Sequence, residues 1–296
     1  MNKTTLLVMA AGMGSRFGSL KQMTPLGPHQ KALLHYTVYD AVHAGFDKIV
    51  FVIRESFAKE FKEFVGKYAE SMVETVYCYQ DMNRLPGGAA PIEGREKPWG
   101  TAHAIWSAKD AINEPFAALN ADDFYGSDAF VKAHDFLANL DCNNEFALIG
   151  YRLASTLSEN GTVSRGICQM DANGYLTDVN ECTKIARQAD GTIKDEEQGL
   201  LLNDEDLVSM NFWGFTPFIF DEIERQFAEF YPANKDNLKS EIFIPKVVDA
   251  AIKAGVAKVK VIKTNAVWFG VTYKEDTPTV NAQLEAFSNE GKYLDL

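Results

Sequence analysis

Short, unbroken apolar runs alternate along the first half of the chain with longer segments in which apolar residues recur every three or four positions. Residues 4–11 (TTLLVMAA) and 48–53 (KIVFVI) are runs of the first kind, which is typical of buried strands. Between them, KALLHYTVYDAVHAGF places Leu34 and Val38 on one face of a predicted helix that ends at Gly45. The first 53 residues therefore predict a strand, a helix and a second strand.

The same alternation continues to about residue 150. It predicts a helix in AKEFKEFVGKYAE, a strand at VETVYCYQ and a helix beginning near GTAHAIWSAKDAI. The run FAALNADDFYG that follows is apolar until it meets two aspartates. This order indicates an α/β fold with a Rossmann-like, mostly parallel sheet and helices on both faces. Ligands in such sheets bind beyond the carboxyl ends of the strands.

The second half of the chain changes character after residue 150. RGICQMDANGYLTDVNECTKI contains Asn-Gly and ARQADGTIKDE contains Asp-Gly, which are hairpin signals between β-rich flanks. We predict a β-rich antiparallel insertion beside the parallel sheet, then helices in DEIERQFAEFY and SEIFIPKVVDAAIKAG, a strand at AKVKVIKT and a last helix. Neither a flexible linker nor a repeat interrupts the pattern, which favours one domain, 1–296, with parts at about 1–150, 151–220 and 221–296.

Composition narrows the possible partners. Hydrophobic residues make up 46% of the chain and charged residues 24%, as in ordinary globular proteins, and the formal net charge is -12. That charge disfavours nucleic acid and anionic membranes, so a polyanionic ligand must be held by local cations. The four cysteines lack metal-finger spacing, and the sequence shows no signal segment or membrane span, so we expect a cytoplasmic protein.

The glycine-rich stretch LLVMAAGMGSRFGSLKQ follows the first predicted strand directly. Such a turn points backbone N–H groups at one spot and is a general anion site. A dinucleotide-binding turn would need glycine where Phe17 stands, and a phosphate loop of the Walker type would need Gly-Lys-Ser or Gly-Lys-Thr. The remaining pattern, A-A-G-x-G-S-R-F-G-x-x-K-Q, places Arg16 and Lys21 beside the turn as dedicated cations.

This pattern resembles the signature of the sugar-1-phosphate nucleotidyltransferases, the nucleotide-sugar pyrophosphorylases: G-x-G-[ST]-R followed by a lysine. The resemblance continues in family order through KQMTPLG, Gln80, WGTAHAI, LNADDFYG, RGICQMDANGYLTDVNE and MNFWGF. It is nearest to single-domain thymidylyltransferases and uridylyltransferases of glucose 1-phosphate, with a GT-A-like fold. It implies that a sugar 1-phosphate attacks the α-phosphorus of UTP or dTTP in line, with Mg²⁺ as cofactor, and expels pyrophosphate. Such transfer depends on positioning and charge neutralisation and needs no protein nucleophile.

The resemblance assigns the first half of the chain to the nucleotide. Arg16 would hold the departing β- and γ-phosphates, and Lys21 the α-phosphate or the attacking phosphate. The implied nucleotide-binding residues are Ala10, Ala11, Gly12, Gly14, Gln80, Gly100 and Thr101. An amide and a hydroxyl beside bare backbone suit the imide edge of uracil or thymine. Thr101 precedes a helical pattern, so an N-cap role is the alternative or an addition.

Two acidic regions are candidates for the metal. Asp122 matches the magnesium-binding aspartate of the resembled family and Asp123 is its neighbour, although aspartate is also common where a strand ends in a turn. Family members place a second ligand near VWFGVTYKED, where this chain has Thr272, with Glu275 and Asp276 downstream. Those two acids also fit the first turn of the last helix.

The β-rich part aligns with the sugar-binding segments of the family. The positions carried over are Gly166, Glu181, Lys184 and Asn211, and the usual Glu-Lys-Pro after the hairpin is replaced here by ECTKI. A carboxylate and an amide suit bidentate contacts with hydroxyl groups. Small-molecule substrates are the expected partners, with a homo-oligomer possible. The alternatives are another phosphorylated acceptor, such as an alditol, heptose or choline phosphate, and a non-catalytic nucleotide-sugar-binding regulatory protein.

Overall fold

The computed structural model describes residues 1–12, 24–158, 161–270 and 277–296. Strands β1 and β2 and helix α1 lie where the sequence predicts them, at Thr5–Met9, Lys48–Ile53 and Leu33–Ala44. Helix α1 ends because Gly45 adopts φ 104°, a left-handed conformation that glycine takes without strain.

The rest of the first half follows the predicted alternation. Its elements are α2 (Ala58–Phe61), a π-helical turn (Lys62–Gly66), α3 (Lys67–Met72), β3 (Glu74–Tyr79), α4 (Thr101–Trp106), β4 (Phe116–Asn120), β5 (Asp123–Phe124), α5 (Ser127–Ala138) and β6 (Glu145–Arg152). Helix α2, the π-helical turn and α3 run on without a break, as the single predicted helix requires. Helix α4 is shorter than its sequence pattern, because the chain turns from residue 107 onward.

The second half supplies the hairpins and the C-terminal helices. Its elements are β7 (Val163–Met170), β8 (Leu176–Arg187), β9 (Ile193–Asp195), β10 (Leu200–Leu202), β11 (Leu207–Phe215), α6 (Phe218–Asn234), α7 (Ile244–Lys253), β12 (Lys258–Lys263), β13 (Phe269–Gly270) and α8 (Thr277–Asn289). Both predicted hairpins form: Gly174 (φ 76°) and Gly191 (φ 88°) stand in their turns. In the described ranges, none of the helices is both long and apolar enough to span a bilayer.

One sheet of eleven strands runs through the described part of the chain. Its order is β10-β9-β8-β7-β11-β4-β1-β2-β3, and β6 pairs with both β11 and β12. The block β4-β1-β2-β3 is parallel, and so is the β12–β6 pair. The β-rich part is antiparallel, as predicted, but it continues this sheet through β11 instead of lying beside it. The physical reason is that β11 offers one edge to β7 and then to β4.

Side chains of the central strands point alternately to two hydrophobic cores. In β1, Leu6 and Val8 pack in the core that contains α1 and α5, whereas Leu7 and Met9 pack in the core that contains α4, α6 and α7. This alternation is the period of two expected of a strand that is covered on both faces. The sheet is therefore held from both sides, and its strand ends are rigid supports for loops.

A third, smaller cluster of aromatic side chains joins the C-terminus to the centre of the protein. Phe124 stacks on Phe269 with ring centroids 4.4 Å apart, and Tyr293 packs edge-on against Tyr36 at 5.1 Å. The Tyr293 hydroxyl donates a hydrogen bond of 3.0 Å to buried Asp40. Burial raises the pKa of Asp40 to about 8, against a usual 3.8. The cluster thus fixes the last residues of the chain on α1 and β5.

Candidate functional site at the carboxyl edge of the sheet

The segments that follow the parallel strands meet at one edge of the sheet. After β1, the Ala10 N–H donates to Val52 O at 2.8 Å, and after β3 the Gln80 N–H donates to Ile53 O at 2.9 Å. After β4, the Ala121 N–H donates to the carbonyl of the last residue of β1 at 3.2 Å. These bonds hold the predicted nucleotide-binding and carboxylate segments side by side, where an open α/β sheet binds its ligands.

The first residues after β1 are small. Ala10 and Ala11 are buried, and among the described residues no atom lies within 4 Å of the place that a Cβ on Gly12 would take. The Arg54 guanidinium donates from Nε to Ala11 O at 3.0 Å, and burial lowers the Arg54 pKa. Arg54 therefore adds positive charge beside this segment, and no motif in the sequence singled it out. The predicted positions Gly14, Arg16 and Lys21 lie outside the described residues, so their roles stay predictions.

The predicted base-reading residues come together although they are separated by 20 positions in sequence. The Gln80 Nε2 donates to Gly100 O at 3.2 Å and lies 3.3 Å from Nδ1 of His103. A cavity of about 690 Å³ beside β3 has Gln80 and Arg54 in its wall. His103 was not among the predicted site residues, although it stands within the WGTAHAI motif.

Gly100 and Thr101 connect α4 to α7. Gly100 has φ 95°, and a Cβ there would lie 2.5 Å from Ile242 O, so the close approach requires glycine. The Thr101 hydroxyl accepts a hydrogen bond of 2.9 Å from the Ile244 N–H. Gly100 occupies the N-cap of α4 and no side chain caps that helix, so the alternative N-cap role of Thr101 on its own helix is wrong. Its hydroxyl instead accepts the N–H of the first residue of α7.

The turn after β4 carries the two predicted acidic residues. Asp122 is half-buried in the turn, and Asp123 begins β5. The Asn120 Nδ2 donates to Asp123 Oδ2 at 3.0 Å, and the Tyr125 hydroxyl lies 3.2 Å from the same oxygen. A Cβ on Gly270 of the paired strand would lie 2.7 Å from Asp123 Oδ1. Asp123 is therefore positioned on three sides.

All four predicted sugar-binding residues lie on β7, β8 or β11, which are neighbouring strands of the sheet. Gly166 faces Glu181 across the β7–β8 pair, and a Cβ on Gly166 would come within 3.2 Å of Glu181 Oε1. Asn211 has φ 60° at a register shift in β11, where the strand exchanges β7 for β4 as its neighbour. Lys184 instead forms an exposed ion pair with Glu197 at 3.9 Å.

Asn211 connects the sugar side of the sheet to the carboxylate turn. Its Nδ2 donates to Asn120 Oδ1 at 2.8 Å, and its Oδ1 accepts from Trp213 Nε1 at 2.8 Å. Asn120 in turn donates to Asp123, so an amide chain runs from β11 to the acidic residues. Asn120 was missed from the sequence because its side chain acquires this role only when β11 lies next to β4.

Arg165 is a second functional candidate that the motifs did not identify, although it directly precedes Gly166. Its Nε donates to Thr156 Oγ1 at 3.1 Å, and its guanidinium lies 4.9 Å from the centre of the Trp268 ring. Burial lowers the pKa of Arg165 to about 10, and the charge of Asp123 opposes that shift. The arrangement places a cation near the carboxylate turn in a chain of net charge -12.

The donor set at the turn suits magnesium as far as it is described. Two adjacent carboxylates are hard oxygen donors, and Mg²⁺ commonly takes one or two carboxylates and completes its shell with water and substrate phosphates. Within the described ranges, no group of three or more histidine, cysteine, aspartate or glutamate side chains forms a self-contained metal cage. Thr272, Glu275 and Asp276 lie outside those ranges, so the second ligand stays a prediction.

Comparison with known proteins agrees with this geometry. The model of the family described as nucleotidyl transferase matches residues 5–290. No protein of curated function gives a significant sequence match. The fold is similar to a Bacillus anthracis protein assigned as a glucose-1-phosphate thymidylyltransferase and solved with sucrose, with TM-score 0.63, 14% identity and 95% of both chains covered.

Two further solved structures have the same fold. The inositol-1-phosphate CTP transferase from T. maritima gives TM-score 0.62 at 14% identity, with 98% of this chain and 97% of that chain covered. A UDP-glucose pyrophosphorylase complexed with UDP-glucose gives TM-score 0.57 at 17% identity, with 98% and 100% covered. At such identities the likeness establishes the fold, including the mixed α/β sheet flanked by helices.

Proposed function

Because this chain belongs to the nucleotidyl transferase family and is therefore an enzyme of nucleotidyl transfer, we propose that it transfers a nucleoside monophosphate from UTP or dTTP to a sugar 1-phosphate. The observation that carries the proposal is the amide chain from Asn211 through Asn120 to Asp123. It connects the strand that carries a predicted sugar-binding residue to the predicted metal-binding turn. The two substrates of such a reaction have to meet at that point.

The proposed reaction joins the two phosphates in line. An oxygen of the sugar 1-phosphate attacks the α-phosphorus of the triphosphate, the bond from that phosphorus to the bridging oxygen breaks, and pyrophosphate leaves. The backbone of Ala10, Ala11, Gly12 and Gly14 would hold the nucleotide, because small residues allow close approach. Arg16 would neutralise the departing phosphates through its planar fork, and Lys21 would follow the charge at the α-phosphate.

Magnesium would be held by Asp122, with Thr272 as the proposed second ligand, and would neutralise phosphate charge when bound. Asp123 would support the turn, since the Asn120 amide donates to its carboxylate. On the acceptor side, Glu181 and Asn211 would contact hydroxyl groups, and Gly166 would let the Glu181 carboxylate lie close to β7. Lys184 would need to leave its ion pair with Glu197 to reach a phosphate.

Glucose 1-phosphate is the simplest proposed acceptor. The likeness to an inositol-1-phosphate CTP transferase adds a cyclitol phosphate and CTP to the alternatives, beside the alditol, heptose and choline phosphates expected from the sequence. A cytoplasmic location and assembly into a homo-oligomer stay predictions from the sequence.

Pyrophosphate release tests the proposal. The purified protein is incubated with Mg²⁺, one of UTP, dTTP or CTP, and one acceptor from a panel that contains glucose 1-phosphate, inositol 1-phosphate and choline phosphate. We expect release with UTP or dTTP and a sugar 1-phosphate, and none after chelation of the metal. If the folded protein releases no pyrophosphate with any pair of nucleotide and acceptor, the proposed reaction is refuted. Nucleotide binding without release would favour the regulatory alternative.

The variant Lys21→Ala tests the mechanism within the same assay. We expect kcat to fall by at least about 100-fold while nucleotide affinity changes by less than about 10-fold, because the lysine would act mainly on charge that develops during transfer. Lys235→Ala, at an exposed lysine after α6, is the matched control and should leave both quantities unchanged. Equal activity of the two variants would remove Lys21 from the mechanism.

A further inference from the structure

His103 lies fully buried in α4, and both of its ring nitrogens have partners. Its Nε2 lies 2.8 Å from the backbone carbonyl oxygen of Arg84, and its Nδ1 lies 3.3 Å from Gln80 Nε2. A carbonyl oxygen can only accept a hydrogen bond, so Nε2 must carry the ring proton. Burial lowers the pKa of His103 to about 4, so the ring is neutral near pH 7 and Nδ1 is an acceptor.

The side-chain amide of Gln80 is held by two acceptors. One N–H of Nε2 points to Gly100 O at 3.2 Å, and the other points to Nδ1 of His103. Rotating the amide by half a turn would place Oε1 against both acceptors, which would lose two hydrogen bonds and bring lone pairs together. The amide therefore has one stable orientation, with Oε1 turned away from Gly100 and His103.

We propose that His103 is a positioning residue that sets the base preference of the enzyme by locking the Gln80 amide with its oxygen toward the base. This inference rests on the proposed function, in which Gln80 contacts the base. Uracil and thymine carry a proton on N3, which an amide oxygen accepts, whereas N3 of cytosine is itself an acceptor. A locked Oε1 thus favours UTP and dTTP over CTP, and an amide free to rotate would accept either kind of base.

The expected size of the effect follows from the hydrogen bonds involved. Leaving a buried donor or acceptor unsatisfied costs about 1–3 kcal/mol, and about 1.4 kcal/mol is a tenfold change in an equilibrium constant. Losing the lock should therefore lower the preference for UTP over CTP by about 10-fold. Gly100 still accepts one N–H from Gln80 in such a variant, so part of the preference should remain.

A purely structural role for His103 predicts a different result. The ring also holds Arg84 O and stacks against Trp106, with ring centroids 5.8 Å apart. Loss of those contacts would lower the amount of folded enzyme and so reduce activity with every nucleotide alike. The amount of folded enzyme cancels when kcat/KM for UTP is divided by kcat/KM for CTP. This ratio changes only when base recognition changes.

The test measures kcat/KM for UTP, dTTP and CTP with one acceptor in the wild type, His103→Leu, His103→Gln and His35→Leu. His103→Leu should lower the UTP to CTP ratio by about 10-fold. His103→Gln should restore most of it, because its amide oxygen can accept from Gln80 while its nitrogen donates to Arg84 O. His35 is the matched control: it is buried in α1, lies 3.1 Å from Phe64 O and has its pKa lowered to about 4 in the same way.

Each outcome separates the inference from the proposed function. A wild type that prefers CTP, or an unchanged ratio in His103→Leu, overturns the inference and leaves nucleotidyl transfer in place. A wild type that releases no pyrophosphate from any nucleotide overturns the proposed function. Calorimetric titration with UTP and CTP then decides the inference: a UTP preference that shrinks in His103→Leu supports it, and equal or absent binding overturns it.

Discussion

The buried carboxyl of Asp40 predicts that this protein loses stability as the pH rises. Asp40 is 3% exposed in α1, and burial raises its pKa from 3.8 to about 8, against the opposing effects of the Tyr293 hydrogen bond and the Lys292 charge. The folded chain keeps this proton up to about pH 8, whereas the unfolded chain releases it near the usual value. The stability that the protonated Asp40 contributes is therefore fully present below about pH 4 and is lost as the pH rises through about 8.

The magnitude follows from the interval between the two pKa values. Within that interval the free energy of unfolding falls by about 1.4 kcal/mol for each pH unit. From pH 5 to pH 8 the ceiling is thus about 4 kcal/mol. That is a large share of the 5–15 kcal/mol by which domains are typically stable.

Urea unfolding at a series of pH values between 5 and 9 measures the effect. Asp40→Asn keeps the shape and can still accept the hydrogen bond from Tyr293, but it cannot ionise. The stability of this variant relative to the wild type should therefore rise by about 4 kcal/mol between pH 5 and pH 8. Tyr293→Phe should extend the fall to higher pH, because it removes a bond that favours the ionised carboxyl and so raises the Asp40 pKa further. If the wild type and Asp40→Asn keep a constant difference across the series, Asp40 does not titrate in this range and the reasoning fails.

Three further predictions concern the carboxyl edge of the sheet. Gly270→Ala should lower kcat by about 10-fold with little change in Tm, because its Cβ would lie 2.7 Å from Asp123 Oδ1 and displace that carboxylate; unchanged turnover would exclude Asp123 from the site. Gly100→Ala should destabilise the protein by more than about 2 kcal/mol in urea unfolding, since φ 95° and the contact with Ile242 O both disfavour a side chain. Tyr125→Phe should cost about 1–3 kcal/mol, because its buried hydroxyl serves backbone groups of β4 and β11; a stability equal to wild type would contradict those bonds.

Local patterns in the sequence were sufficient to predict most helices and strands and the class of fold. The unbroken apolar run at Thr5–Met9 forms a central strand, and Gly45 ends α1. Both were predictable because the spacing of apolar residues and the left-handed conformation of a glycine depend on only a few neighbouring residues. The turn residues Gly174 and Gly191 predicted both hairpins for the same reason. The family followed from the order of several motifs, and the family match over residues 5–290 confirms it.

The partners of the site residues depended on contacts between distant parts of the chain. Asn120 joins Asn211 across 91 positions, and Thr101 joins Ile244 across 143, so neither contact leaves a signal in a short window of sequence. The place of β11 between β4 and β6 is also long-range, which is why the hairpins were expected beside the sheet instead of within it. The role of His103 is also non-local, because its ring partners Gln80 and Arg84 lie about 20 positions earlier in the chain.

The course of β11 has a consequence for how such a protein can diversify. In its first half Val208 and Ser209 pair with Ile167 and Gly166 of β7, whereas its second half, from Trp213 to Phe215, pairs antiparallel with β4 at the border of the parallel block. The hairpins from β7 to β10 thus pair with β11 along a short edge, and Gly174 in their first turn also accepts a hydrogen bond from the Val261 N–H of β12. Under the proposed function, a transplanted hairpin set could bring a new acceptor while the nucleotide end stayed as it is, and a chimera exchanging residues 163–202 is the natural construction for changing one substrate at a time.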